Sequence, residues 1–375
     1  MAERNVLVTG GAGFVGSHLV DALVARGDRV RILDNLDPQV HGAERRRPSW
    51  LSKDAELIVG DVRDPDAISR ALRGVEVVYH LAAAVGVGQS MYRIADYTAT
   101  NTLGTANLLQ ALIDREMVLE RLVVASSMSI YGEGRYVRPD GVEPTVNRRT
   151  ADQLRAHDWE LRDADGTALA PRPTDEDKPL DPTSIYALTK ADQEKMCLQI
   201  GEAYGIPTVA LRFFNIYGPR QSLSNPYTGV AAIFSARLLN GEPPLIFEDG
   251  EQRRDFVSVY DIVRGLLQAA ECQGAVGQAL NLGSGHPVTV KEVASTLAHV
   301  LGTDIEPQVT GRARVGDIRH CFADISRARE AMGYAPQVTF EEGMKDLVGW
   351  LQEQERPEDG IEQHAAELVA RGLSV

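Results

Sequence analysis

Two residues able to transfer protons, Tyr186 and Lys190, stand four positions apart in a segment whose pattern predicts a helix, Ile185–Tyr204. Residues four apart share one face of a helix, so the phenol and the amine can contact the same ligand. A lone Tyr-x-x-x-Lys is common by chance. Its weight comes from the hydroxyl-rich stretch Ser126–Gly132, which directly follows a predicted strand, Leu122–Ala125. Because ligands bind at the carboxyl ends of strands in a doubly wound sheet, the two segments predict one site with acid–base groups.

A glycine-rich turn, Thr9–Gly16, lies where a predicted strand, Asn5–Thr9, ends and a predicted helix, Gly13–Arg26, begins. Glycines at positions 10, 13 and 16 permit a tight turn, close backbone approach to a pyrophosphate, and close packing of helix on strand. The amides at the helix N-terminus would then face the phosphates. The turn therefore predicts a dinucleotide site, and the alternative is a glycine-rich turn that holds no ligand.

An acidic residue, Asp34, follows the second predicted strand, Val30–Leu33, 18 positions after Gly16. A carboxylate at this place can accept hydrogen bonds from both ribose hydroxyls of an adenosine. It would also repel a 2′-phosphate, so it favours NAD over NADP, and Asn35 could share the contact. The alternative is that Asp34 only caps the following turn. Asp61, after the third strand, is placed to reach the edge of the adenine.

The elements that must position these groups alternate between strand and helix. Their strands lack polar alternation, as expected for a sheet covered on both faces. Alternating strands and helices predict right-handed crossovers and an α/β fold with a doubly wound parallel (Rossmann) sheet. The remaining predicted elements are the strands Leu57–Val59, Val75–Tyr79 and Thr208–Phe213 and the helices Pro65–Leu72 and Ile94–Leu112.

Two regions depart from this alternation. Residues 133–180 are polar and predict a surface insertion, with a short helix around Ala151–Leu161. The insertion leaves from the end of one strand and returns to the helix of Tyr186, so it can flank or cover the site; the alternatives are a surface ornament or a dimer contact. Beyond residue 215 the units are shorter, which predicts a smaller α/β lobe. We expect a dinucleotide-binding domain over residues 1–215 and a mainly substrate-binding lobe over residues 216–375. The chain of this lobe could return to the first domain.

The composition excludes several classes of function. The 375 residues carry 53 acidic and 39 basic side chains, and a net charge of −14 repels nucleic-acid backbones and anionic lipids. The three cysteines lie far apart, which argues against a disulfide framework or a thiolate zinc site, so no metal is predicted. Neither a signal-peptide layout nor an apolar run of roughly 18 residues is visible. We expect a cytoplasmic protein that binds neither membranes nor nucleic acid.

These motifs together resemble a family, the extended short-chain dehydrogenase/reductases, and within it the nucleotide-sugar epimerases and dehydratases. The resemblance spans Asn5 to Trp350 and depends on many blocks in a fixed order. Besides the features above, the blocks are Gly60–Asp64, His80–Ala83, Asn101-x-x-Gly104-Thr105-x-Asn107, Arg212–Pro219 and Arg254–Val257.

The resemblance implies a catalytic trio of Ser127, Tyr186 and Lys190. Tyr186 would be the general base that removes a sugar hydroxyl proton, because Lys190 and the positive nicotinamide lower the pKa of the phenol. Ser127 would hydrogen-bond the reacting oxygen and stabilise its developing charge. The implied NAD contacts, with those argued above, are Gly10, Gly13, Phe14, Val15, Asp34, Asn35, Asp61, Val62, Leu81, Ala82, Ala83, Asn101, Ser126, Tyr186, Lys190 and Phe213.

The implied partner is a nucleotide-diphosphate sugar, carrying dTDP or UDP. Its implied contacts are Ser127, Ser129, Tyr186, Asn215, Arg254 and Arg314. The planar guanidinium of Arg254 or Arg314 suits phosphate oxygens. The alternative is that these arginines pair with nearby carboxylates, Asp255 and Asp317. The segment Ser222–Val230 could cover the nucleotide base.

One departure from the family pattern bears on the reaction. Family members that eliminate water carry an acidic pair directly after the hydroxyl residue, and this chain has Met128 and Ser129 there. Neither can protonate a leaving hydroxyl, which disfavours a 4,6-dehydratase. The resemblance therefore implies a 4-epimerase in which bound NAD+ transiently oxidises C4 and returns hydride to the opposite face of the sugar. The alternatives are a decarboxylase, a dehydratase or a reductase of the same family, and a non-enzymatic dinucleotide sensor.

The resemblance also implies a subfamily and an assembly. The long insertion, Arg253–Ser258 and Gly316–Cys321 make the chain look most like bacterial epimerases acting on a dTDP-6-deoxyhexose such as rhamnose. The helices Ile94–Leu112 and Ile185–Tyr204 match those that pair across a four-helix interface in the family. A homodimer is therefore expected.

Overall fold

The computed structural model describes residues 3–146, 148–221, 229–313 and 317–354. Its strands, in chain order, are β1 (Asn5–Thr9), β2 (Arg29–Asp34), β3 (Glu56–Val59), β4 (Val77–His80), β5 (Arg121–Ser127), β6 (Arg135–Val137), β7 (Ala170–Arg172), β8 (Thr208–Phe213), β9 (Asn215–Tyr217), β10 (Leu245–Ile246), β11 (Arg253–Ser258), β12 (Ala279–Leu282), β13 (Pro287–Thr289), β14 (Gln308–Val309) and β15 (His320–Cys321).

The helices surround these strands. In chain order they are α1 (Phe14–Ala25), α2 (Pro38–His41), α3 (Pro65–Ala71), α4 (Val87–Ser90), α5 (Ile94–Tyr97), α6 (Gly104–Asp114), α7 (Ala151–Arg155), α8 (Ile185–Tyr204), α9 (Val230–Leu239), α10 (Val259–Glu271), α11 (Val290–Leu301), α12 (Ser326–Met332) and α13 (Phe340–Gln352). A π-helical segment, Thr98–Leu103, joins α5 to α6, and a 3-10 turn, Met128–Tyr131, follows β5. In the part of the chain that the structure describes, no helix is long and apolar enough to cross a bilayer.

Seven strands form one parallel sheet in the order β12-β8-β5-β4-β1-β2-β3. The order reverses between β1 and β4, which is where such sheets open a crevice for ligands. This topology confirms the predicted doubly wound α/β fold.

The apolar runs of the strands are explained by burial on both faces of the sheet. On β5, Val123 belongs to a core cluster that includes Leu23 of α1, while Leu122 and Val124 belong to the opposite cluster, which includes Leu108 of α6. Full burial of such a side chain stabilises the fold by roughly 1.5–3 kcal/mol. Successive residues thus enter two different cores, so the sheet holds its carboxyl edge rigidly.

A smaller lobe follows the large sheet. The strands β9, β11, β13 and β15 form a four-stranded sheet, and β10 pairs with β14. Helices α9, α11 and α13 close a third core around Phe234, Leu297 and Leu347. The strand β12 pairs in register with β8 (Ala279 opposite Ala210), so the chain returns to the large sheet after entering the lobe.

The predicted helix Ile94–Leu112 is interrupted in the structure. Its middle, Thr98–Leu103, is π-helical, with Asn101 fully buried. The Asn101 side-chain oxygen accepts from the Ala84 amide at 2.7 Å. Its side-chain nitrogen donates to the Ala84 carbonyl at 3.1 Å and to the Thr189 hydroxyl at 3.0 Å. The wider turn brings this amide inward, which is a frequent use of π segments at functional sites.

The predicted helix Ala151–Leu161 ends early, at Arg155. Two residues later His157 has a φ of +56°, a left-handed conformation that no α-helix continues. The rest of the insertion contains the antiparallel pair β6–β7 and a small apolar cluster, so it has regular structure and a small core of its own.

Candidate active site

A cavity of about 550 Å³ opens at the carboxyl edge of the large sheet, at the reversal of strand order. It is enclosed by the glycine-rich turn, the ends of β2, β4, β5 and β8, and the first turns of α8. Most of the residues predicted from the sequence line it. They are Gly10, Gly13, Phe14, Val15, Asp34, Asn35, Asp61, Val62, Leu81, Ala82, Ala83, Ser126, Ser127, Tyr186, Lys190, Phe213 and Asn215.

The glycine-rich turn leaves a backbone-lined cradle in this cavity. Gly10 has a φ of +71°, and a Cβ there would come within 2.8 Å of the Ala82 nitrogen. The N-cap of α1 is Gly13, which has no side chain to cap the helix, and the first helical residues, Phe14 and Val15, line the cavity. Free N–H groups at a helix start attract phosphate, so this end of the cavity suits a pyrophosphate.

Asp34 is held by the backbone at the end of β2. Its two carboxylate oxygens accept hydrogen bonds from Ala12 N at 3.0 Å and Leu36 N at 2.9 Å. Its side chain is 8% exposed, and burial raises its pKa above the usual range. His41, which the sequence did not single out, lies 3.8 Å from the same carboxylate and also lines the cavity. The carboxylate is thus fixed at the cavity wall, and its contact with ribose hydroxyls stays a prediction.

Asp61 is engaged by two neighbours beside the adenosine end of the cavity. Arg63 donates to both of its oxygens, at 2.9 and 2.7 Å, and Asn35 donates at 3.0 Å. These contacts lower the pKa of Asp61 to about 2, although burial acts in the opposite direction. Asp61 is therefore ionised at neutral pH and fixes Asn35 at the cavity wall.

Ser127 and Tyr186 meet at the end of β5. Burial raises the pKa of Tyr186 above its ordinary value, and a hydrogen bond with the Ser127 side chain opposes this rise. The ring of Tyr97 packs edge-on against Tyr186, with centroids 6.4 Å apart, and its hydroxyl donates to Gln89 at 3.1 Å. The phenol is thus oriented from two sides. Neither Tyr97 nor Gln89 was predicted, since their only sequence signal is a place in or near a predicted helix.

Lys190 extends from α8 beneath the end of β5. Its ammonium donates to Ala125 O at 2.5 Å and to Gln193 Oε1 at 2.9 Å. Burial lowers its pKa to about 8. Since Lys190 also lines the cavity, its remaining N–H is available to a ligand.

Two amides at the other end of the cavity present unpaired acceptors. Asn215 Oδ1 and Gln221 Oε1 are buried, line the cavity and have no hydrogen-bond partner among the described residues. A buried unpaired acceptor is costly, so each indicates a missing ligand or water. Asn215 was predicted; Gln221 was not, although it directly follows the block Arg212–Pro219 and Arg220.

Three predicted residues do not line the cavity. Asn101 and Ser129 lie behind it, where Ser129 donates to Ser127 at 2.9 Å. Arg254 donates to the backbone carbonyls of Ile318 and, at 2.9 Å, Arg319. It also lies 3.5 Å from the Asp317 carboxylate, which is the alternative pairing considered for this arginine. Its contact with a diphosphate stays a prediction. Arg314 and most of the segment Ser222–Val230 lie outside the described residues.

The insertion is joined to the smaller lobe by ion pairs around two buried side chains of the lobe, Arg319 and Glu248. Arg319, 1% exposed, pairs with Glu160 of the insertion at 2.6 Å and with Glu248 at 2.9 Å. Arg149 of the insertion pairs with the same Glu248 at 2.7 Å. No described residue of 133–180 lines the cavity. The ion pairs therefore join the insertion to the smaller lobe, which itself lines part of the cavity, for example with Phe256.

Fold and cavity together define a dinucleotide-binding protein of the doubly wound class with a serine, tyrosine and lysine at one end of its crevice. A family model described as the NAD dependent epimerase/dehydratase family matches residues 6–154 and 164–283. The chain belongs to this family of enzymes, which confirms the predicted family and its cofactor, NAD.

Similar proteins extend over nearly the whole chain. A dTDP-L-rhamnose 4-epimerase of Burkholderia thailandensis is 36% identical over 350 residues, covering 93% of this chain and 95% of the relative. The solved UDP-glucose 4-epimerase of Thermotoga maritima with UDP-glucose is 32% identical, with a TM-score of 0.77 over 93% of this chain and 99% of that one. A Bacillus cereus UDP-glucuronic acid 4-epimerase in complex with UDP-glucuronic acid and NAD is 27% identical, with a TM-score of 0.76 and the same coverage.

The residues of the cavity fit NAD. The start of α1, whose N-cap Gly13 has no side chain, suits its pyrophosphate, and the anchored carboxylate of Asp34 suits a ribose diol and opposes a 2′-phosphate. Lys190 has an N–H to spare at the opposite end. A Cβ at Gly10 would collide with backbone, which explains why this turn needs glycine.

Proposed function

We propose that the protein is a nucleotide-sugar 4-epimerase, an isomerase that uses NAD as a bound cofactor. The main support is that Ser127 at the end of β5 and Tyr186 at the start of α8 line the same cavity, together with Lys190 one helical turn later on α8. The positions after Ser127 are Met128 and Ser129, both buried, so no carboxylate stands where a dehydratase needs an acid.

The three side chains divide the chemistry between them. Tyr186 takes the proton of the sugar 4-hydroxyl, and Ser127 donates a hydrogen bond to the same oxygen as charge develops there. Lys190 favours the phenolate of Tyr186 through its positive charge and donates to the cofactor ribose. NAD supplies the hydride acceptor, and later the donor, when it is bound. Tyr186 then returns its proton to the 4-oxygen after the sugar has turned, so no net redox change occurs.

The substrate we propose is a dTDP-hexose with a 6-deoxy sugar such as rhamnose, with UDP-hexoses as the alternative. The unpaired acceptors of Asn215 and Gln221 can each take a hydrogen bond from the nucleotide or the sugar. Phosphate oxygens themselves accept, so the Asn215 amide nitrogen is the group that suits a diphosphate. The bacterial relative named for dTDP-L-rhamnose supports the deoxythymidine choice, and the UDP-hexose enzymes among the solved structures support the alternative.

A homodimer is part of the proposal. Exposed apolar side chains lie on the two segments that the sequence analysis assigned to an interface: Ile94 and Leu103 on the first and Leu188 of α8 on the second, with exposures of 52, 51 and 48%. Met91, 40% exposed, lies three residues before Ile94, and α8 packs against α5 and the π-helical segment. Exposed apolar residues on neighbouring elements mark association sites. We define Met91, Ile94, Leu103 and Leu188 as the apolar patch.

The test is product analysis of purified protein. Bound nucleotide is released and identified by mass spectrometry, and the holoprotein is incubated with dTDP- and UDP-hexoses without added cofactor. We expect NAD in the protein and a product of unchanged mass with inverted C4. A product lighter by one water would favour a dehydratase, release of carbon dioxide from a UDP-hexuronate a decarboxylase, and accumulating NADH a dehydrogenase or reductase. Bound NAD without any turnover would favour a sensor.

A further inference from the structure

A buried glutamine, Gln193, lies one helical turn after Lys190 on α8 and is completely inaccessible to solvent. Its Oε1 accepts from the Lys190 ammonium at 2.9 Å. Its Nε2 donates to the hydroxyl oxygen of Thr105 at 2.8 Å. Gln193 does not line the cavity, so it touches neither of the proposed ligands.

Two backbone groups fix the proton positions around this glutamine. The carbonyl of Asn101 can only accept, so the Thr105 hydroxyl, 2.6 Å away, donates its proton there. The amide of Ala82 can only donate, and it donates to the hydroxyl oxygen of Thr9 at 3.2 Å. The Thr105 proton is therefore committed to Asn101, whereas the Thr9 oxygen accepts from Ala82 and keeps its own proton for a further acceptor.

His80 closes the chain between these hydroxyls. Its Nε2 lies 2.9 Å from Thr105 Oγ1, whose proton is already used, so Nε2 carries the hydrogen and donates it. Its Nδ1 accepts from the Thr9 hydroxyl at 2.8 Å. With Thr105 accepting, Gln193 must present its NH2 to Thr105 and its oxygen to Lys190. Gln193 Nε2 also lies 3.3 Å from His80 Nε2, and in this arrangement both nitrogens direct their hydrogens at the Thr105 oxygen.

The other groups around Lys190 do not fix the ammonium. The Glu194 carboxylate on the same helix is held by Arg212 at 2.6 Å. His80 of β4 is neutral, because burial lowers its pKa to about 3, and burial raises the pKa of the Cys197 thiol to about 12. Neither contributes charge at neutral pH.

We propose that Gln193 is a positioning residue that holds the Lys190 ammonium toward the cofactor, anchored through Thr105 and His80 to the loop that begins at Ala82. The inference rests on the proposed function, because the role of Lys190 belongs to it. Two of the three N–H groups of Lys190 are occupied by Ala125 and Gln193, which leaves one direction open, toward the cavity.

The substitution Gln193→Met keeps the size of the side chain and removes the acceptor. Because an acceptor favours the charged ammonium, its loss lowers the pKa of Lys190 from about 8. Turnover that needs the ammonium is lost as pH rises through this pKa, so the alkaline limb of the kcat/KM profile moves down by about one pH unit. Gln193→Glu keeps an acceptor and adds charge, so the limb moves up.

The experiment compares wild type, Gln193→Met, Gln193→Glu and a control, Gln199→Met, which is exposed on the same helix. Two quantities are measured: the pH profile of epimerisation, and the dissociation constant of NAD+ by calorimetry on nucleotide-free protein at neutral pH. We expect about tenfold weaker NAD+ binding for Gln193→Met and wild-type values for the control. Thermal unfolding shows that each variant is folded.

An alkaline limb that stays in place in both Gln193 variants overturns the proposal and makes Gln193 a space-filling residue. If Gln193→Met does not fold, Gln193→Glu decides alone, because a limb that does not move in this variant shows that position 193 does not act on the Lys190 ammonium. If the wild type turns over no nucleotide sugar, the proposed function fails, and NAD+ affinity in Gln193→Met or Gln193→Glu relative to Gln199→Met still decides the role of Gln193.

Discussion

The hydroxyl of Ser129 donates to the hydroxyl oxygen of Ser127 at 2.9 Å, and the Ser129 backbone N–H donates to the same oxygen at 3.2 Å. With both lone pairs of that oxygen engaged, the proton of Ser127 is left to point elsewhere. Tyr186 lies on that side, at the cavity wall. Ser129, which the sequence analysis assigned to the sugar, thus orients Ser127, and in the proposed function Ser127 is the serine that contacts the sugar.

We therefore predict different effects for the two serines. Ser127→Ala removes a donor to the reacting oxygen and lowers kcat by roughly 10²-fold. Ser129→Ala removes only an orienting hydrogen bond and lowers kcat about fivefold. Steady-state kinetics measure both, with Ser295→Ala, an exposed serine of α11, as the control. Equal losses for Ser127 and Ser129 would show that Ser129 contacts the substrate itself.

Tyr186→Phe is expected to preserve folding and NAD binding and to lower turnover by roughly 10²-fold or more, because only the proton-transfer group is lost. Tyr204→Phe is the matched control, since Tyr204 is 58% exposed at the end of the same helix. A near wild-type rate for Tyr186→Phe removes this phenol from the mechanism.

Asp34→Ala is expected to weaken NAD binding and to reduce the preference for NAD over NADP. The substitution removes both the acceptor for the ribose hydroxyls and the repulsion of a 2′-phosphate. Titration calorimetry with each dinucleotide measures the two affinities. Asp54→Ala, at an exposed position, is the control. An unchanged affinity ratio would assign the preference to a different residue, with His41 the first candidate.

The pH dependence of stability is expected to show the buried, neutral His80. Burial lowers its pKa to about 3 in the folded protein, against about 6.5 when unfolded. The group therefore contributes stability fully above pH 6.5, and that contribution is lost as pH falls toward 3.

The slope from this one group is about 1.4 kcal/mol per pH unit between roughly pH 6 and 4. Urea unfolding at several pH values should give a shallower slope for His80→Gln than for wild type, whatever the variant's stability at pH 7. His299→Gln, on the exposed side of α11, should keep the wild-type slope. Parallel slopes for His80→Gln and wild type would contradict the neutral, tautomer-fixed histidine.

The apolar patch gives a prediction about assembly. Leu103→Glu with Leu188→Glu places charges in the proposed interface and should convert a dimer into a monomer at micromolar concentration, as measured by light scattering. Val118→Glu is the control, because Val118 is 93% exposed and lies outside the patch. A monomeric wild type would refute the homodimer.

The sequence predicted the large sheet well because its strands are apolar throughout and its first turn is rich in glycine. Most of the site residues predicted from the sequence also line the cavity, since Gly10, Asp34, Ser127 and Tyr186 all lie at strand ends or helix starts, and such positions meet at one edge of a parallel sheet.

The remaining parts depend on contacts that spacing does not encode. The π-helical segment has the composition of an ordinary helix, so the sequence does not predict the wider turn. That turn is seen only in the structure, where the Asn101 side chain is buried. Gln193 shares a face with Lys190 by spacing alone, but its other partners, Thr105 and His80, come from α6 and β4. Arg254 matches a family motif, while its actual partners are backbone carbonyls set by the packing of β11 on β15.

The return of β12 to the large sheet limits how this protein can be re-engineered. Because β12 supplies the edge beside β8, the smaller lobe is threaded through the first domain and is not appended to it. A substrate lobe grafted from a relative must therefore bring its own β12 with a sequence that pairs with this β8. Recombination at one crossover point near residue 215 would exchange an outer strand of the dinucleotide domain together with the sugar-binding surface, so changes in substrate choice and in fold stability would be inherited together.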